Sequence, residues 1–236
     1  MKSNLAGRLR AESKRAAPAR GAGATRRSWS GRRAPIGLRR DEILRSVGNI
    51  LRHSRLSSLT MQQIADELGI TKGNLYYYFR DKQDILYQCH LRCMDISLEA
   101  LREVRSRGES PAQKLRSLLT RHIGAILEDG RGSVLLTDLE SLRPAQRQRY
   151  VERRDEFERG VRQLIEQGVK EREFGCGDVK LAGFAILGAI NWIPKWYRED
   201  GSMSAKTIAA AMTDVLMRTL GPAAVRRRAT VTGGAD

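Results

Sequence analysis

Residues 60–82, TMQQIADELGITKGNLYYYFRDK, decide the fold of this chain. Met61, Ile64, Ala65 and Leu68 recur at i, i+3, i+4 and i+7, the spacing that collects apolar groups on one face of a helix. Thr60 precedes that run, where a side-chain oxygen can take one of the free amides of a helix start. Gly69 follows it, at the position where a left-handed backbone favours glycine, and Ile70 tucks under the turn. Thr71 can then cap a second helix carrying Lys72, Gly73, Asn74, Leu75 and the aromatic run Tyr76 to Phe79. Two short helices joined by a tight turn make a helix-turn-helix, whose second helix enters the major groove of DNA.

Groove entry needs small residues at the leading end of that helix, so that the backbone can approach the duplex. Thr71, Gly73 and Asn74 meet the need. Hydroxyls, amides and free N–H groups bond phosphates or base edges, Lys72 adds a charge for phosphate, and Asn74 has the geometry to make two bonds to adenine. Tyr76 and Tyr77 can reach the sugar-phosphate backbone with their phenols, whereas Leu75, Tyr78 and Phe79 are read as seating the helix on its neighbours.

These residues resemble the TetR family of bacterial transcriptional regulators. The resemblance rests on Ala65, Gly69, Thr71, the run Leu75-Tyr76-Tyr77-Tyr78-Phe79, and Lys82. It implies that Tyr76 and Lys82 contact phosphate, that Thr60 does so from the preceding helix start, and that Thr71, Lys72, Asn74 and Tyr77 face the groove. The chain departs from the family in RHSRLSSLT, where Arg55 stands in place of a glycine after the first helix.

The chain has 236 residues, enough for one large or two small domains. No stretch approaches the ~20 apolar residues of a membrane span. Cys89, Cys93 and Cys176 make no paired framework, which suits a reducing cytoplasm. Cys89 and Cys93 share a helix face and are read as packing residues. The net charge of +16 is unevenly placed: residues 1–40 carry +11, and the last fifteen residues carry +2. The body between is nearly balanced. An Arg-rich arm beside a DNA-binding unit reads either as a phosphate or minor-groove contact or as a solvated tail. Pro18, Pro35 and scattered glycines break the amphipathic helix that a transit peptide would need.

The chain divides into a disordered basic arm (1–37), a helix-turn-helix DNA-binding domain (38–82), a helical effector-binding and dimerisation domain (83–221) and a disordered tail (222–236). Helix one runs from about Leu38 to Arg52. Asp81 caps a fourth helix reaching about Val104, long enough to join two domains mechanically. Ser110-Pro111 opens an amphipathic helix, and Gly130 to Gly132 break it. A short apolar helix follows over 134–142, then a long one over 145–172. Asp178 caps a helix to about Tyr197, and Ser204 caps the last, to Leu220. The strand pattern never appears. The fold class is all-α, with about nine helices.

The last two helices, over about 178–220, are rich in small residues, among them Gly183, Ala185, Gly188 and Ala189. In the family such a pair forms a four-helix bundle with its twin, which implies a homodimer. Pro194 removes a hydrogen bond from the first of the two, beside clustered aromatics. This segment resembles the subgroup whose effectors are coenzyme A thioesters of fatty acids or steroid-ring fragments, and the resemblance implies a pocket residue at Trp192. Trp196 and Lys195 join it as effector candidates, with His122 on the apolar face of its own helix; core or dimer packing is the alternative for both tryptophans.

No catalytic constellation or metal-ligand spacing is present: His53, His90 and His122 lie on separate helices, with no phosphate loop and no nucleophile elbow. An enzyme, a cofactor, a bound metal and a membrane partner are therefore not expected. The expectation is a dimeric repressor released from a palindromic DNA operator by a hydrophobic small-molecule effector, for which the subgroup resemblance implies an acyl-CoA thioester. One alternative keeps the fold but senses a xenobiotic and controls efflux. Another is a non-specific nucleoid-coating protein acting through its basic ends.

Overall fold

The computed structural model describes residues 36–53, 59–127, 139 and 142–222. Most of the basic arm and of the tail lies outside them, as do Arg55, the break at Gly130 to Gly132 and most of the short helix expected over 134–142. Among the described residues there are eight helices and no strand. They are α1 (Ile36–His53), α2 (Met61–Glu67), α3 (Lys72–Tyr78), α4 (Lys82–Ser106), α5 (Pro111–Leu127), α6 (Pro144–Lys170), α7 (Val179–Trp196) and α8 (Ala205–Arg218).

The helix starts follow the capping residues. Thr60 Oγ1 accepts from the Gln63 amide at 3.1 Å, and the Thr60 amide donates back to Gln63 Oε1 at 2.8 Å, a reciprocal cap. Thr71 accepts from the Asn74 amide at 3.1 Å to open α3. Asp81, Asp178 and Ser204 cap α4, α7 and α8 in the same way. Gly69 stands at φ +65° in the turn between α2 and α3, a left-handed backbone that a side chain would strain.

Several helix ends differ by one or two residues from the sequence reading. The long helix starts at Pro144 and ends at Lys170 rather than 172. Arg172 takes a left-handed φ of 61°, and the Glu173 amide turns back to the Gly168 carbonyl at 2.7 Å. The Phe174 ring then folds back against Gly168, where an added Cβ would sit 2.2 Å from it. α8 likewise stops at Arg218, and Gly221 at φ +65° follows.

Two apolar cores meet along α4. The first joins Ile43 and Val47 of α1, Ile64 of α2, Leu75 of α3, Phe79, and Ile85 to Cys89 of α4. The second begins at Cys93 and collects Leu98 and Leu101 of α4 with Leu118 and Ile123 of α5, Val161 and Leu164 of α6, Ile190 of α7 and Ile208 of α8. The change of core therefore falls between Cys89 and Cys93. Both thiols are buried, and burial, with Cys93 beside it, pushes the Cys89 thiol up to about 12. α4 has 25 residues, so it spans about 37 Å and belongs to both cores. α5 occupies the middle of the second core, against α4, α6 and α8. Truncating Leu118 or Ile123 there costs about 2–5 kcal/mol.

Candidate nucleic-acid interface

α3 is seated by its apolar side and open at its leading end. Leu75 is 0% and Phe79 1% exposed, and the Arg40 guanidinium of α1 stacks 5.4 Å from the Phe79 ring centre. Tyr78 packs half-buried against the first core and meets Tyr77 edge-on at 5.1 Å. Thr71, Lys72, Gly73 and Asn74 are all exposed, as are Tyr76 and Tyr77, the latter by 67%. No described atom comes within 4 Å of where a Cβ on Gly73 would stand, so the approach to the backbone is clear. The Lys72 ammonium lies 5.9 Å from the Tyr76 ring centre, which joins a positive charge and a phenol in one surface.

Thr60 and Lys82 line one surface recess of about 550 Å³ with Asp81 and Gln83. The start of α2 and the start of α4 thus open on the same hollow, beside α3. The recess holds the Lys82 side chain beside the Asp81 carboxylate that caps α4. Each DNA-contact candidate named from sequence is therefore on the surface or, for Lys82, half-buried at its edge.

The effector candidates do not come together. Trp192 is 62% exposed on α7, and Lys195 and Trp196 are exposed beside it. His122 is buried on α5 at the floor of a groove between α4, α5 and α8 that none of those three lines. The sequence reading missed Ser97, whose Oγ lies 2.8 Å from His122 Nδ1. It also missed Arg143, which ion-pairs with Asp81. Neither has a local signal, since each partner lies far away in the chain. Among the described residues no helix is long and apolar enough to cross a membrane, and no cluster of His, Cys, Asp and Glu could hold a metal.

Comparison with known proteins agrees with this geometry. Residues 56–89 match the model of bacterial regulatory proteins of the tetR family, and residues 108–220 match a tetracyclin repressor-like C-terminal domain. The HTH-type transcriptional repressor KstR2 of Rhodococcus jostii (strain RHA1) is 28% identical over 183 residues, covering 76% of this chain and 89% of that protein. The crystal structure of the TetR-family regulator PfmR from Thermus thermophilus superposes with a TM-score of 0.69 at 30% identity, covering 75% of this chain and 98% of that one. The structure of AibR in complex with isovaleryl coenzyme A and operator DNA has the same fold, with a TM-score of 0.66 at 21% identity over 79% of this chain and all of that one. With matches over both its helix-turn-helix and its C-terminal helices, the chain belongs to the TetR family of bacterial regulatory proteins.

Proposed function

We propose that this protein is a homodimeric transcriptional repressor that leaves a palindromic operator when a hydrophobic effector binds its C-terminal helices. The observation that carries the DNA-binding half is the leading end of α3: four consecutive exposed residues, Thr71 to Asn74, on a helix anchored from beneath by Leu75. In this reading Thr71, Lys72, Asn74 and Tyr77 enter the groove, while Thr60, Tyr76 and Lys82 hold phosphate. Replacing Tyr76 with Phe and Lys82 with Ala, and measuring operator affinity against salt, tests it. Each change should weaken binding on all sequences, and the lysine change should lower the salt slope by about 1. Unchanged affinity and slope in both would overturn it.

The dimer rests on α7, which is apolar on two sides. Ile186, Ile190 and Ile193 point into the subunit, and Leu181, Phe184, Gly188 and Trp192 form an exposed stripe on the other face. A helix apolar all round needs cover on both sides, and a lone reading head has only half an operator to hold. A second copy of α7 and α8 supplies that cover. Trp192, Lys195 and Trp196 then belong first to the subunit interface, and they reach an effector only at its edge.

The effector is read as a coenzyme A thioester. Support comes from AibR, whose structure holds isovaleryl coenzyme A together with operator DNA. Occupancy shifts the operator equilibrium only by its differential affinity for the two states. A melting-temperature screen of acyl coenzyme A thioesters against drug-like cations separates this effector from a xenobiotic.

A further inference from the structure

We propose that Arg40, near the start of α1 and outside the helix-turn-helix, is a clamp for one operator phosphate, held in place by the ring of Phe79. This rests on the DNA-binding reading above and adds to it a residue and its chemistry.

An arginine that is partly buried needs an anion. Taking a guanidinium out of water costs free energy, which a carboxylate or phosphate at hydrogen-bond distance offsets. Among the described residues four arginines are half-buried: Arg40, Arg107, Arg143 and Arg162. Three have their acid inside the subunit. Arg107 pairs with Glu103, Arg143 with Asp81, and Arg162 with Glu158 at 3.7 Å. Arg40 has no acid among the described residues, and its neighbour Asp41 is taken by Arg92 at 2.9 Å. Its Nε is buried and meets no hydrogen-bond partner. The anion that balances Arg40 therefore comes from outside the subunit.

An aromatic ring holds the side chain instead. The guanidinium carbon stands 5.4 Å from the centre of the Phe79 ring, and Phe79 is 1% exposed. Against an aromatic face a guanidinium keeps its charge and its planar fork while losing freedom of rotation. Phe79 ends α3, three positions past the exposed Tyr76. Arg40 thus sits at the trailing end of the recognition helix, away from the leading end formed by Thr71 to Asn74. A helix that meets base edges with its leading end has the sugar-phosphate backbone at its flanks. With Nε under the protein, Nη1 and Nη2 are left for two phosphate oxygens, a paired geometry that lysine does not match. Residues 1–40 carry a charge of +11, and Arg40, already inside α1, is the last residue of that run.

The test uses the full-length protein and a duplex of about 30 base pairs, room for two half-sites, that the wild type enriches from a random-sequence pool. Affinity is measured from about 50 to 200 mM salt, on that duplex and on an unselected one. Arg40→Met keeps an unbranched stem on the Phe79 ring and removes the charge. It should melt close to the wild-type temperature, bind both duplexes about three- to tenfold more weakly, and lower the salt slope by about 1. Arg40→Gln, equally neutral, should share that slope. Arg40→Lys should keep the wild-type slope and lose less affinity, since the charge stays and the fork goes. Unchanged affinity and slope in Arg40→Met, with the loss still seen in Lys82→Ala, would overturn the clamp and leave the operator reading standing. So would weaker binding at an unchanged slope, which makes Arg40 a prop for Phe79 alone. A wild-type protein that enriches no sequence from the pool would overturn both.

Discussion

Asp81 does two things at once with Arg143. One carboxylate oxygen accepts from the Asp84 amide at 2.9 Å and so caps α4, while the other takes the Arg143 guanidinium from the start of α6. Leu142, next to that arginine, is buried in the core that seats the recognition helix. The helix-turn-helix is thus fastened to the C-terminal helices at the point where α4 begins. Further along, Arg153 of α6 pairs with Asp95 of α4, and His90 of α4 stacks on Tyr150 of α6 at 4.8 Å. α6 is thus joined to α4 at three points along its first half.

The Asp81 link separates into parts. Asp81→Ala removes cap and ion pair together and should cost about 1 kcal/mol, most of it the cap. Asp81→Asn keeps a good cap, and Arg143→Ala removes the pair alone; a double-mutant cycle between them should give about 0.2–1 kcal/mol, since both side chains are more than a third exposed. Urea denaturation reads each. Burial raises the Asp81 carboxyl, but the Asp84 amide and the Arg143 guanidinium outweigh it and hold it below its ordinary 3.8. Its contribution is therefore complete above that value and is lost as pH falls through the lower native one.

The buried histidines should make the protein acid-sensitive well before its carboxylates titrate. Burial pulls His90 and His122 from 6.5 down to about 4. Between those values the unfolded chain takes up protons that the native one refuses, so stability is complete above pH 6.5 and falls toward pH 4. The loss is roughly 2–4 kcal/mol per histidine. His122→Asn, which can still bond Ser97, should flatten the melting-temperature slope between about pH 7 and pH 5. An unchanged slope would show that His122 takes up its proton as readily in the native protein as in the unfolded chain.

Gly160 should not tolerate even a methyl group. An added Cβ would stand 2.2 Å from Cδ2 of Leu101, which is buried at the α4–α6 contact. Gly160→Ala should therefore lose about 1–3 kcal/mol despite alanine's better helix propensity. A melting temperature equal to or above wild type would mean that Leu101 has room to turn away.

Charge on the outer stripe of α7 should divide the dimer. Leu181→Asp with Trp192→Asp alters two exposed side chains, 63% and 62% open in one subunit, so folding should survive. Sedimentation should then show monomers, and operator affinity should fall at least a hundredfold, because each half-site must be held alone. A dimer persisting in that variant would place the interface elsewhere.

The reading head is legible in sequence because its determinants are local. Thr60, Gly69, Thr71 and Asp81 each act on amides or backbone angles within four residues, and the apolar period marks which side is buried. The apolar period and the capping residues along the chain set the all-helical class, and the placing of Lys and Arg set the uneven charge. Tertiary structure decided what depends on distant neighbours: the second partner of Asp81, 62 residues away; the pairing of Ser97 with His122 across two helices; and the open space at Gly124. It also separated Trp192, named from a resemblance, from His122, named from its apolar helix face. A helix start is fixed by its own next turn, whereas a groove exists only where three helices fail to touch, and no single stretch of chain records that.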